Sequence, residues 1–203
     1  MELSSHNSVA VLAFAPGDGY PQLTTGVLRE LGGLLKEVSL SGLFRGVVIA
    51  ANSRSFATGA SLEEVASVEG VGARDFAQAG QALFNHIAAF PLPVAAAIRG
   101  YCLGGGLDLA LACRTRVATY DASFGHPGAS LGLITGWGGT QRLARLIGRA
   151  PAMQLLLTAE RVPAGQALTL GLVDELVPSP DLVEAAARRA LSGARRPARL
   201  GGS

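Results

Sequence analysis

Residues 94–112 limit the folds open to this chain more than any other stretch. A short apolar run, Val94 to Ile98, passes through a turn into Leu103-Gly104-Gly105-Gly106-Leu107-Asp108 and then into an apolar helical segment that continues to Ala112. Such a run reads as a buried strand, and a strand feeding a helix through a glycine-rich turn belongs to an α/β chain. Three glycines strip side chains from the turn, so a ligand can approach the main chain closely. The start of a helix supplies unpaired N–H donors and the positive end of the helix dipole. Together these features suit an oxygen that acquires negative charge, and Asp108 places a carboxylate in the first helical turn beside it.

A second corner has the same form. The apolar run 46–51 reads as a strand and is followed by Arg54-Ser55-Phe56-Ala57-Thr58-Gly59-Ala60-Ser61-Leu62. Both corners lie at the ends of strands, where open α/β sheets place their ligands. Elsewhere strands and helices alternate. Residues 9–14 read as a strand and 16–21 as a loop. Val27, Leu28, Leu31, Leu34, Leu35 and Val38 fall at helical spacing, with Thr24 or Thr25 as the N-cap. A helix is expected over 75–90, stopping before Pro91, and a strand over 116–118. Helices are expected over 139–147, 150–157 and 180–191, the last closed by Gly193. This alternation predicts parallel β-α-β units with right-handed crossovers.

Composition narrows the class further. With 203 residues, 49% of them hydrophobic, the chain is long enough for one sizeable core. No run of about 20 apolar residues is free of glycine, proline or charge, so no membrane span is predicted. Residues 1–7 lack the basic-then-apolar pattern of a signal peptide, and a cytoplasmic location is expected. A net charge of +2 gives no basis for nucleic-acid binding. Five arginines against two acids between Asp181 and Ser203 read as a solvated tail. Cys102 and Cys113 have no metal-ligand spacing with the histidines and are expected to be buried and reduced.

Several segments, taken in order, carry a family resemblance. They are the two glycine corners, Phe124-Gly125-His126-Pro127, the run Leu131-Gly132-Leu133-Ile134-Thr135-Gly136-Trp137-Gly138-Gly139-Thr140-Gln141-Arg142-Leu143, and Gly165-Gln166-Ala167-Leu168-Thr169-Leu170-Gly171-Leu172-Val173-Asp174. From about residue 9 to residue 178 the chain resembles the enoyl-CoA hydratase/isomerase family, the crotonases. The resemblance implies a crotonase-like α/β fold of repeated β-β-α units around a mostly parallel sheet. It divides the chain into a core over 1–178 and a C-terminal helix with an Arg/Gly-rich tail over 179–203, a shortened helical region by the family's standard. It also implies an acyl-CoA thioester as ligand, a homotrimer or a pair of trimers, and no metal or redox cofactor, coenzyme A being part of the substrate.

The same resemblance assigns residues. The backbone N–H groups of Ala60 and Gly105 are the expected oxyanion donors, and Asp108 stands where the family's hydratases have their first glutamate. Arg54, Gly59, Ser61, Leu62, Tyr101, Gly104, Pro127, Gly128 and Leu131 are the expected substrate contacts. Arg54 replaces a common lysine near the CoA phosphates, and Ser61 replaces a common aspartate. The main departure is Gly128, which stands where the second catalytic glutamate should follow Pro127. His126, two residues earlier, titrates near neutrality in water and is a candidate substitute, although a hydrogen-bonded structural histidine is the commoner use. Trp137 reads as a packing or interface residue, with contact to the acyl pocket as the alternative. Three functions follow: a hydratase/isomerase-type enzyme with Asp108 acting through a bound water, a decarboxylase or thioester hydrolase using the same oxyanion hole, and a non-catalytic module that binds acyl-CoA or a protein.

Overall fold

The computed structural model describes residues 1–15 and 20–192. Its centre is a six-stranded sheet in the order β1-β2-β3-β4-β6-β9. The strands are β1 (Glu2–His6), β2 (Val9–Phe14), β3 (Gly46–Ala51), β4 (Val94–Ile98), β6 (Thr115–Thr119) and β9 (Glu175–Val177). Only the β1–β2 pair is antiparallel; β2 through β9 run parallel. A smaller sheet joins β5 (Tyr101–Leu103), β7 (Ser123–Gly125) and β8 (Val162–Pro163), with β5 and β7 parallel.

Every residue of β2, β3 and β4 is buried, because helices cover both faces of the central sheet. Alternation sorts their side chains. Ala10, Leu12 and Phe14 point into the larger core with Leu28, Leu31, Leu35 and Val38 of α1 (Thr25–Ser41). Val9 and Val11 join a second core with Leu182, Ala185, Ala186, Ala187 and Ala190 of α8 (Leu182–Ser192). The small side chains let α8 lie close to the sheet: a Cβ on Gly46 would meet Ala190 Cβ at 3.0 Å. The division expected at 178/179 therefore precedes a helix that shares the sheet's core. Residues 193–203, including Gly193 and the Arg/Gly-rich tail, lie outside the described residues, as does 16–19 of the expected loop.

Thr24, rather than Thr25, caps α1, its hydroxyl accepting from Val27 N at 3.2 Å. Thr25 instead donates through N and Oγ1 to Glu64 Oε2, at 2.9 and 3.0 Å. Thr24→Ala is expected to cost about 1 kcal/mol, read as a lower urea midpoint at unchanged slope. The remaining helices are α2 (Leu62–Ser67), α3 (Gly70–Ala88), α4 (Gly105–Ala112), α5 (Gly139–Ile147), α6 (Arg149–Thr158) and α7 (Ala164–Leu170). The helix expected over 75–90 begins five residues earlier, at Gly70, and ends at Ala88. The last helix starts at Leu182, after a 3-10 turn over Ser179–Asp181. No described helix is long and apolar enough to cross a membrane.

Candidate active site

The two glycine corners meet. Beyond β3, the chain runs beside β5: Phe56 N donates to Arg99 O at 2.9 Å, Ala57 N to Tyr101 O at 3.1 Å, and Leu103 N to Ala57 O at 2.9 Å. The start of α4 then sits on Ala57, so closely that a Cβ on Gly106 would overlap Ala57 O. Gly59 and Gly104 have φ of +112° and +52°, backbone conformations that disfavour L side chains. A Cβ on Gly59 would lie 3.3 Å from Gly105 N, and one on Gly105 would lie 3.4 Å from Ala60 N. Neither Ala60 N nor Gly105 N donates to a protein acceptor among the described residues. Gly105 is the first residue of α4, where a helix leaves its N–H groups unpaired.

Both residues line a cavity of about 600 Å³. Gly59, Leu62, Gly104, Pro127, Gly128 and Leu131 line it too, together with His126, Leu133, Thr135 and Trp137. Val65 and Val68, near the end of α2, and Phe76 and Ala77 of α3 add apolar wall. Four residues expected at the site are off this wall. Ser61 is buried and caps α2, accepting from Glu64 N at 3.4 Å. Tyr101 packs its ring against Tyr20 and under the Arg161 guanidinium. Arg54 is exposed on the loop that carries Ala60.

Asp108 is the fourth, and it is fully buried. Its Oδ2 accepts a hydrogen bond from Thr135 Oγ1, and a Cβ on Gly139 would overlap Oδ1. The carboxylate thus props the turn between the 3-10 segment Pro127–Leu131 and α5, behind the cavity wall. Burial pushes its pKa up to about 6, although Thr135, the backbone N–H groups of Trp137 and Gly139 and the charge of Arg142 all favour the ionised form. His126 Nε2 lies 3.8 Å from Asp108 Oδ1, beyond hydrogen-bond reach. Burial holds this imidazole down to about 4. At neutral pH the pair is therefore a carboxylate beside a neutral imidazole.

Trp137 is buried and fills the space between α3 and α4. Its ring packs 5.2 Å from Phe76 and edge-on to Phe84, and Nε1 donates to Phe76 O at 3.4 Å. Packing is thus its role, as expected, but one part of it also faces the cavity. Gly128 leaves the wall bare: a Cβ there would meet Leu133 Cβ at 3.4 Å. The variable 63–90 region, expected to line the pocket, does so through α2 and α3, but no motif says which of its residues take part, and Thr135 was not foreseeable. No spacing rule joins position 108 to position 135. Cys102 and Cys113 are free and buried, and burial pushes the Cys113 thiol up to about 12. Among the described residues no group of three His, Cys, Asp or Glu is placed to hold a metal ion.

Comparison with known proteins adds a lineage to this geometry. The chain is 38% identical over 196 residues to the fatty acid oxidation complex subunit alpha of Shewanella baltica (strain OS185), an alignment that covers 94% of this chain and 28% of that protein. The chain thus spans a little over a quarter of the length of such relatives. Among solved structures it superposes on an enoyl-CoA hydratase from Bacillus anthracis with a TM-score of 0.88 and 33% identity, covering 94% of this chain and 75% of that one. An enoyl-CoA hydratase from Thermoplasma volcanium GSS1 gives a TM-score of 0.89 at 26% identity, covering 95% and 77%. The family profile described as enoyl-CoA hydratase/isomerase matches residues 4–198. With the parallel sheet and the paired glycine corners, that match makes this chain a member of the enoyl-CoA hydratase/isomerase family.

Proposed function

We propose that the chain acts on acyl-CoA thioesters by hydratase- or isomerase-type chemistry. The thioester oxygen sits between the N–H groups of Ala60 and Gly105 while a proton moves at the adjacent carbon. One observation carries this reading: two unpaired backbone amides, from corners in contact, open onto the same largely apolar cavity. As the α-proton leaves, charge collects on the thioester oxygen, and donors already in place stabilise it without reorganising. The apolar wall from Val65, Val68, Phe76 and Ala77 suits an acyl chain. Coenzyme A arrives as part of the substrate, and proton transfer of this kind calls for no metal or redox cofactor. The reading extends to a trimer or pair of trimers in the cytoplasm, for which light scattering would return a multiple of three 20.7 kDa chains.

Crotonyl-CoA tests the reaction. Hydration destroys its conjugation, so the thioester absorbance is expected to fall on addition of the protein. An unchanged absorbance with tight butyryl-CoA binding removes hydration and leaves isomerisation or another enolate reaction. Absence of binding to either thioester removes the reading altogether.

A further inference from the structure

Gly128 gives this site no carboxylate where the family resemblance expects one, and Asp108 lies behind the wall. The cavity nevertheless holds a titratable group. His126 lines it, is only 4% exposed, and has no hydrogen-bond partner at either ring nitrogen among the described residues. Asp108 Oδ1 lies 3.8 Å from Nε2, on a carboxylate faced by Thr135 Oγ1 and the backbone N–H groups of Trp137 and Gly139. Folded proteins rarely leave both nitrogens of a buried imidazole without a protein partner, and a catalytic role is one explanation of such a group.

The backbone fixes the placement of this histidine. Leu103 of β5 is in register with Gly125 of β7, and Gly104 N donates to Gly125 O at 2.9 Å. His126 is therefore the residue after the one that is bonded to the glycine corner. Asp108 is tied to that corner as well, through its own N–H to Gly104 O at 3.1 Å, one helical turn along α4. Thr135 holds the far carboxylate oxygen. The imidazole and the carboxylate behind it are thus referenced to the backbone that presents Gly105 N.

Resting on the thioester reading above, we infer that His126 is the residue that exchanges protons with the substrate, and that Asp108 is a positioning residue acting through it. In the step, the Cα–H bond breaks and its proton passes to a ring nitrogen of His126. The electron pair spreads to the thioester oxygen as an enolate held by the two amides. Return of the proton from the imidazolium reforms the Cα–H bond, and nothing is oxidised or reduced. With an enoyl thioester the same cycle adds water: the water oxygen bonds to Cβ, its proton goes to His126, and the imidazolium delivers that proton to Cα. The Asp108 carboxylate supports the imidazolium while the proton is in transit.

The test is exchange of the α-protons of butyryl-CoA in D₂O, read as a mass increase of the recovered thioester, with calorimetric binding of butyryl-CoA alongside. The wild-type protein is expected to label the thioester. His126→Ala is expected to exchange about 100-fold more slowly while binding with similar affinity, and free imidazole is expected to restore part of the rate. His126→Gln keeps the volume without the base, so it loses exchange and gains nothing from imidazole. Asp108→Asn is expected to slow exchange at unchanged binding. Wild-type protein that binds butyryl-CoA without labelling it, or a His126→Ala variant that labels it at the wild-type rate, overturns the proposal and spares the thioester reading. Loss of exchange that imidazole fails to restore in the folded Ala variant assigns His126 a structural role and also overturns it. Failure of the wild-type protein to bind butyryl-CoA overturns both.

Discussion

Gly105→Ala is expected to lower kcat on a thioester substrate by about 10²–10³, the loss seen when one oxyanion donor is removed. The substitution leaves the N–H group in the chain but denies it its position. A Cβ on Gly105 would meet Trp137 Cζ3 at 2.5 Å and Cε3 at 2.6 Å, distances at which something must move. The indole has little room to yield, because Phe76, Phe84 and Gly80 enclose it and a Cβ on Gly80 would itself overlap the ring. The first turn of α4 must shift instead, and Gly105 N moves with it relative to Ala60 N. Trp137→Leu provides the internal control. Cutting back the ring frees the space that the new methyl group needs, so the double variant is expected to recover activity relative to Gly105→Ala alone. Such non-additivity reports contact between the two positions. Equal kcat for wild type and Gly105→Ala, with substrate still bound, would remove the amide pair from the mechanism.

Why Trp137 matters could not be read from its neighbours in sequence. The glycine-rich turn 135–139 announces itself as a turn. Which way its one large side chain points depends on Gly80 and Gly105, 57 and 32 residues upstream, having no side chains. The fold was far more legible. Apolar runs at 9–14, 46–51 and 94–98 are strands because nothing but a doubly covered sheet accommodates them, and all three appear with those limits. Glu2–His6 carried no such signal: a polar edge strand, largely exposed, is held by pairing with β2 rather than by its own side chains. At 62–67 a single turn and a half of helix contributes no fully buried residue, so periodicity had nothing to register. At the site, the two corners were legible because glycine and helix start are local features. The burial of Asp108 was not, since helical position gives a face and says nothing of the distant turn that covers it.

The burial of Asp108 and of His126 has a thermodynamic signature of its own, visible in the pH dependence of stability. Folding raises the carboxyl from near 4 to about 6 and lowers the imidazole from near 6.5 to about 4. A raised carboxyl favours the folded state at low pH, and that advantage is lost as pH rises through 6. A lowered imidazole favours the folded state at high pH, and that advantage is lost as pH falls from 6.5 through 4. Between those limits the unfolded chain has taken up a proton at His126 and the folded chain one at Asp108, so the two contributions offset and the pair leaves stability nearly flat. Single variants break the balance in opposite directions. Asp108→Asn keeps only the imidazole contribution, and its stability relative to wild type is expected to fall by about 3 kcal/mol between about pH 7 and pH 4. His126→Gln keeps only the carboxyl contribution, and its stability relative to wild type is expected to rise by about 3 kcal/mol over the same interval. Urea unfolding of the three proteins across that range separates the cases. The other carboxylates titrate alike in all three and cancel in the differences. Opposite slopes establish that both groups are buried, the carboxyl charged and the imidazole neutral at pH 7. Parallel curves would mean that water already reaches both groups, and the neutral imidazole beside a buried carboxylate would then no longer describe this site.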